Sequence, residues 1–72
     1  MNGKELMLLG EKIKELRKEH KMTIEDLAKK SGVSTPTICN IENGKRQPRL
    51  PVLQKLSVAL NCSFEELYEL WN

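Results

Sequence analysis

The sequence has few of the residues that build disulfide frameworks and metal sites. Among its 72 residues there are two cysteines, Cys39 and Cys62, and a single histidine, His20. The cysteines do not form a C-x-x-C pair, and the histidine has no second ligand at a metal-binding spacing. We therefore expect no disulfide, no metal site and no cofactor.

Long apolar runs are also missing. None approaches the roughly 18 residues that a membrane-spanning helix needs. The N-terminus does not show a charged stretch followed by an apolar one and a cleavage site. With 39% apolar and 31% charged residues, the composition is typical of a soluble globular domain rather than a disordered chain. We therefore expect a cytoplasmic protein that does not contact a membrane.

The sequence shows none of the common catalytic patterns. It has no recognisable nucleophile and base pair, no pair of catalytic carboxylates and no phosphate-binding glycine loop. A length of 72 residues is also near the lower limit for a core without disulfides or metals. These observations favour a binding domain over an enzyme, and we expect residues 1–72 to form a single domain.

Acidic residues are absent from residues 45–55 and frequent in residues 63–72. The formal net charge is only +2, and the last ten residues carry three glutamates. Such a separation is typical of a protein with one basic working surface. Two solvated faces of opposite charge are the simpler alternative. The cations that follow one another without an intervening acid are Lys45, Arg46, Arg49 and Lys55.

The sequence does contain a series of amphipathic helix patterns with recognisable ends. Apolar residues at three- and four-residue steps predict a first helix over residues 4–20. Asn2 has capping-box spacing to Glu5. Thr23 is the expected N-cap of a short second helix, which Gly32 ends.

The second half of the chain predicts three more helices. Ser34 is the expected N-cap of the third helix, which Gly44 terminates. Pro51 suits the first turn of the fourth helix, Asn61 suits its left-handed end, and Ser63 suits the cap of the last. The sequence shows no strand pattern, so we expect an all-α fold. The expected core includes Leu27, Ala28, Val33, Ile38, Ile41, Leu53, Leu56 and Leu60.

The third helix combines a buried direction with an unusual outer side. Ile38 and Ile41 fix the side that faces the core, and Ser34 is expected on the same side. The outer residues are poor helix formers in places where Lys or Glu would give more stability. Short neutral side chains that donate and accept hydrogen bonds suit base edges in a major groove. The residues pointing outward are Pro36, Cys39, Asn40 and Asn43, with Thr35 and Thr37 on the flanks. A helix-start role for Pro36 and an inert role for Cys39 are the simpler alternatives.

Two helices joined by the short turn at residues 32–34 form a helix-turn-helix pattern. The residues ELRKEHKMTIEDLAKKSGVSTPTICNIENGKRQPRL resemble the Cro/cI-type, lambda-repressor-like regulators. The similarity continues through LPVLQKLSVALNCSFEEL, so several helices agree in order and spacing. The resemblance implies a compact five-helix lambda-repressor-like DNA-binding domain, with its motif at about residues 23–43.

The resemblance implies how the third helix meets DNA. In this family the third helix enters the major groove and the second lies across the backbone above it. Thr35, Pro36, Cys39 and Asn40 would then face bases. Asn40 is the strongest candidate, because its amide can pair with adenine through two hydrogen bonds. Ile24 departs from the family pattern, which often has a glutamine there that contacts phosphate and braces the third helix, so that contact is not carried over. Thr35 and Pro36 replace the longer polar residues common at the helix start, so DNA shape and the following loop would contribute more to specificity.

The resemblance also implies backbone contacts and a structural ion pair. Arg17 and Glu42 match a family pair that bridges the first and third helices. The helical periodicity supports this pair independently, because Glu42 lies close to the buried direction of Ile38. The residues that match phosphate-contacting positions are Thr37, Asn43, Lys45, Arg46 and Arg49.

The implied function is sequence-specific transcriptional regulation through double-stranded DNA, with a homodimer on a palindromic operator. The candidates for the dimer contact are Leu67, Leu70 and Trp71, or Met7 and Leu8 in the first helix. Trp71 is equally suited to closing a small core. The alternative function is an antitoxin-like or adaptor module whose main partner is another protein.

Overall fold

The computed structural model describes residues 3–71. Within that range it contains five α-helices and no strand, which confirms the all-α prediction. Asn2, the predicted cap of the first helix, lies outside the described residues. None of the described helices is long and apolar enough to cross a bilayer. The helices are α1 (Gly3–Glu19), α2 (Ile24–Ser31), α3 (Thr35–Glu42), α4 (Leu50–Ala59) and α5 (Phe64–Trp71).

The predicted N-caps of α2 and α3 are present. The Thr23 hydroxyl accepts the Asp26 N–H at 3.0 Å, and the Asp26 carboxylate accepts the Thr23 N–H at 2.9 Å. This reciprocal pair satisfies two amide groups that a helix start leaves without partners. Ser34 caps α3 through its hydroxyl, which accepts the Thr37 N–H at 3.3 Å.

The end of α3 reverses the chain through a left-handed residue. Asn43 ends the helix, and Gly44 has φ 70°. The Gly44 N–H donates to the Ile41 carbonyl at 3.1 Å, and the Lys45 N–H donates to the Asn40 carbonyl at 2.8 Å. These two bonds form a Schellman turn. The turn fixes the start of the following loop against the last helical turn of α3.

The five helices enclose one core. α1 packs against α3 and α5, while α4 packs against α2 and α5. The predicted core is confirmed except that Ala28 is only partly buried. In a chain of this size each helix must supply apolar surface to the same core. The buried apolar residues are Leu9, Ile13, Leu16, Leu27, Val33, Ile38, Ile41, Leu53, Leu56, Ala59, Leu60 and Leu67.

α1 and α3 approach each other closely at Gly10. A methyl group built at this glycine would lie 2.4 Å from the Ile41 carbonyl oxygen and 2.6 Å from the Glu42 carbonyl oxygen. These distances are well inside van der Waals contact, so any larger residue would push the two helices apart. Gly10 therefore sets the spacing between the body of the domain and the C-terminal end of α3.

Two predictions from the sequence were wrong in detail. Leu67 was a candidate for the dimer contact, but its side chain is 0% exposed. It packs inside the monomer because α5 presents it to α1 and α4, so it offers no surface to a second chain. Ser34 was expected on the buried side of α3, but it is exposed. As the N-cap it precedes the helix, where the helical periodicity no longer fixes its direction.

Candidate nucleic-acid interface

The two sides of α3 have different environments. On the inner side, Ile38 is 0% exposed and Glu42 is 8% exposed. On the outer side, Pro36, Asn40 and Asn43 are exposed. We call this outer side, together with the partly buried Thr35, Thr37 and Cys39, the recognition surface. The structure therefore presents all of the predicted base-facing residues on exposed or half-buried positions of one short helix.

Ser34 and Thr37 are joined at the start of α3. The Ser34 hydroxyl accepts the Thr37 N–H and donates its own proton to the Thr37 hydroxyl oxygen at 2.8 Å. Because that oxygen is already accepting a hydrogen bond, the Thr37 hydroxyl proton is free to donate outward. This arrangement suits contact with an acceptor such as a phosphate oxygen.

The two outward asparagines differ in their internal contacts. The Asn43 side-chain amide donates to the Cys39 sulfur at 3.4 Å. Among the described residues, the Asn40 side chain makes no internal hydrogen bond. An exposed amide without an internal partner keeps all its donors and acceptors available for another molecule. The Asn40 amide is therefore available for contacts with another molecule on the recognition surface.

A basic loop, residues 45–49, follows α3 directly. Lys45, Arg46 and Arg49 are exposed, and Arg49 occupies the N-cap position of α4 without a side-chain capping bond. Pro48 is buried. The Schellman turn holds the Lys45 backbone on the Asn40 carbonyl. The first cation of the loop is thus attached to the same helical turn that carries Asn40.

The predicted pair of Arg17 and Glu42 is present. Arg17 donates to both carboxylate oxygens of Glu42, at 2.7 Å from Nε and 3.0 Å from Nη2. Its remaining nitrogen donates to the Met22 carbonyl at 2.8 Å. The hydrogen bond to Glu42 raises the pKa of Arg17. Both side chains are nearly enclosed, so this bidentate contact joins α1 to α3 with fixed geometry.

The turn between α2 and α3 places the two helices as a helix-turn-helix. Gly32 has φ 78°, a left-handed conformation that side chains disfavour. Val33 is buried and anchors the turn to the core. Ile24 is partly buried and packs against the same core. Ile24 therefore contributes packing where the Cro/cI-type family often has a polar residue.

The described residues contain no cluster of metal-binding side chains and no pocket. Among them, no group of three or more His, Cys, Asp or Glu side chains is placed to hold a metal ion. No enclosed pocket is found in this part of the chain. Cys39 and Cys62 are both free thiols and partly buried, and burial raises the pKa of Cys62.

Three features of this region were not predicted from the sequence. They are the close approach at Gly10, the Arg17 bond to the Met22 carbonyl, and a bond from Trp71 to Pro48 in the basic loop. Each joins residues whose spacing follows no local pattern. A glycine inside an amphipathic helix was the one available signal, since it lowers helix stability and usually indicates a packing requirement.

Comparison with known proteins gives consistent matches. The family model HTH_3, described as helix-turn-helix, matches residues 13–67. The HTH-type transcriptional repressor RghR of Bacillus subtilis is 46% identical over 59 residues, covering 81% of this chain and 44% of that protein. The uncharacterized HTH-type transcriptional regulator RghRB of the same organism is 42% identical over 59 residues, covering 81% and 42%. The chain thus spans less than half the length of these two relatives.

This chain matches one solved structure over almost the whole length of the solved protein. It is the restriction-modification controller protein C.AhdI from Aeromonas hydrophila, with a TM-score of 0.83 and 32% sequence identity. The alignment covers 86% of this chain and 94% of that protein. The described helices therefore occur in the same arrangement in a protein of similar size.

Proposed function

Because this chain belongs to the helix-turn-helix family HTH_3, we propose that it is a sequence-specific DNA-binding transcriptional regulator. Residues 1–72 act as a single domain, and two copies bind a palindromic operator with α3 of each copy in the major groove. The observation that carries this proposal is the contrast on α3. Its inner side is fixed to the body, while its outer side exposes neutral polar groups beside a basic loop.

Base recognition is assigned to the recognition surface. Asn40 has a free amide, which suits two hydrogen bonds to the N6 and N7 positions of adenine. Pro36 offers a rigid apolar ring that can contact a thymine methyl group. Thr35 and Cys39 flank them as smaller contacts. With few long polar side chains at the helix start, the shape of the DNA contributes to specificity as well.

Phosphate contacts are assigned to groups around this surface. These contacts position the protein without reading sequence. If each copy neutralises about three phosphates, the logarithm of the dimer's affinity falls with the logarithm of the salt concentration at a slope of about −5, from about −0.9 per phosphate. The assigned residues are Thr37, Asn43, Lys45, Arg46 and Arg49.

A homodimer is proposed because one small module buries little surface on DNA. The half-sites then lie about one helical turn apart. Met7 and Leu8 on α1 are 54% and 45% exposed, and Leu70 and Trp71 on α5 are partly buried. These four residues are the remaining candidates for the contact, since Leu67 is enclosed in the core.

The test is selection of bound fragments from random duplex DNA at moderate salt. A palindromic consensus with two half-sites is the expected result, and sedimentation of the complex should give two protein chains per duplex. A pool without sequence preference would contradict the proposal. In that case an adaptor or antitoxin-like module, which binds mainly another protein, would be the better interpretation.

A further inference from the structure

The basic loop has few hydrogen bonds to the rest of the domain, although its Pro48 side chain is buried. In the described part of the chain, the backbone of residues 46–48 forms no hydrogen bond with another backbone group. Two hydrogen bonds join these residues to another element, and both involve Trp71 at the end of α5. The Trp71 indole N–H donates to the Pro48 carbonyl at 2.6 Å, and the Gln47 side-chain amide reaches the Trp71 carbonyl at 3.5 Å.

Trp71 itself is held firmly. Its ring stacks on Tyr68 with centroids 5.7 Å apart and an angle of 15° between the planes. Tyr68 stacks in turn on Phe64 at 5.4 Å and 22°. Leu67, on the same helix, is fully enclosed in the core. The indole N–H is therefore a donor anchored to the body, and the carbonyl it meets belongs to the loop.

We infer that Trp71 is a positioning residue for DNA binding, which fixes the basic loop so that its cations meet phosphates. This inference rests on the proposed function. Lysine and arginine side chains lose freedom when they bind, and a backbone that also has to be ordered adds to that cost. A loop that is already fixed at Pro48 avoids the cost of ordering its backbone. Binding then restricts only the side chains of Lys45, Arg46 and Arg49.

A purely structural role for Trp71 makes different predictions. If the Trp71 ring only filled the core, it would stabilise the fold through buried apolar area and stacking, and its N–H donor would have no role in binding. Phenylalanine retains an aromatic ring on Tyr68 but has no N–H. Trp71→Phe therefore removes the link to the loop while keeping much of the packing. Tyr68→Phe is the matched control, because it alters the same stack without touching the loop.

The experiment measures the binding of wild type, Trp71→Phe and Tyr68→Phe to a random-sequence duplex of about 20 base pairs over a range of salt. Without the Trp71 hydrogen bond, we expect about one cation of the loop to stay away from its phosphate in the complex. Trp71→Phe should then bind about three- to tenfold more weakly at low salt, with the salt slope smaller in magnitude by about one. Tyr68→Phe should match the wild type. A loss of folded protein alone would lower the active fraction and leave the slope unchanged, so an unchanged slope in Trp71→Phe overturns the inference.

A second measurement uses the unmodified protein. Trp71 is the single tryptophan, so its indole proton gives one resolvable signal in NMR. If the closed link favours DNA binding, binding must favour the closed link by the same factor. We therefore expect the same duplex to slow exchange of the indole proton with solvent. Exchange at an unchanged rate when the protein is saturated with duplex would overturn the inference, even if Trp71→Phe cannot be produced.

These results separate the two proposals. A wild-type protein that does not bind duplex DNA contradicts the proposed function itself. A wild-type protein that binds, with Trp71→Phe showing an unchanged slope, contradicts only the role of Trp71. Combining Trp71→Phe with Arg46→Ala sharpens the result, because two changes that act through one loop should be less than additive.

Discussion

The inner and outer sides of α3 differ in every respect that matters for its role. The inner side carries apolar residues and Glu42, which is bound to Arg17 by two hydrogen bonds. The outer side carries no charged residue and several poor helix formers. In this eight-residue helix, the inner side fixes the position of the helix, and the outer side is available to contact another molecule.

Stability and recognition are therefore separable on α3. Changes on the inner side should lower the free energy of unfolding, while changes on the outer side should alter DNA binding at unchanged stability. Surface substitutions without special contacts usually change stability by less than about 0.5 kcal/mol.

Glu42→Ala should lower the free energy of unfolding by about 3 to 5 kcal/mol. The reason is that the Arg17 guanidinium would stay enclosed without its carboxylate. Urea unfolding followed by circular dichroism measures the change. Glu25→Ala, at an exposed position of α2, is the control and should leave the unfolding midpoint nearly unchanged. Equal stability of the two variants would show that the inner side does not anchor α3 through this pair.

Gly10→Ala should lower stability by about 1 to 3 kcal/mol through overpacking. This sign is informative, because glycine to alanine inside a helix otherwise stabilises by up to about 1 kcal/mol. The added methyl group would displace the end of α3, so DNA affinity per folded molecule should also fall. Thermal melts and binding titrations measure the two effects. Lys14→Ala, exposed on the same helix, is the control, and a more stable Gly10→Ala would contradict the close packing.

Asn40→Ala should leave stability unchanged while reducing affinity by about 1 to 3 kcal/mol at one operator position. The binding loss should disappear when that base pair is replaced, which a panel of operator variants measures. Lys45→Ala provides the contrast. As a phosphate contact it should weaken binding to all sequences alike and reduce the salt slope by about one. If Asn40→Ala weakened every sequence equally, its base contact would be the wrong assignment.

Acid should weaken the cap of α2, which precedes the turn into α3. The hydrogen bond with the Thr23 backbone lowers the pKa of Asp26 below its ordinary value. A lowered pKa in the folded protein means that the charged carboxylate stabilises the fold at neutral pH, and that this contribution is lost as the pH falls through the folded pKa. Melting temperatures from about pH 7 to about pH 3 should therefore show a wild-type advantage over Asp26→Asn that becomes smaller as the pH falls. A constant difference would contradict it.

Much of the fold was predictable because its signals are local. Capping residues, left-handed turn positions and apolar spacing placed all five helices to within one or two residues at most ends. The resemblance to Cro/cI-type regulators is confirmed by the family match over residues 13–67. The pair of Arg17 and Glu42 was also predicted, because the resemblance implied it and helical periodicity put Glu42 near the buried side. The assignments of DNA-contacting residues are still predictions.

The failed assignment of Leu67 and the contacts that were not predicted concern the packing between helices. Apolar spacing placed Leu67 and Trp71 on α5 without showing which of them faces the core and which reaches a neighbouring loop. Apolar residues look alike in sequence, and only the crossing of α5 with α1 and α4 decides which of them is enclosed. Gly10 was missed because a close approach depends on two helices far apart in the chain.

By itself, the sequence determined the helices, their ends and the composition of the outer side of α3. These depend on interactions between residues a few positions apart, which periodicity and capping express directly. The close approach of Gly10 to the carbonyls of α3, and the hydrogen bond from the Trp71 indole to the Pro48 carbonyl, came from the tertiary structure alone. Such contacts arise from packing between distant segments, whose geometry is set by the whole core and by no local pattern.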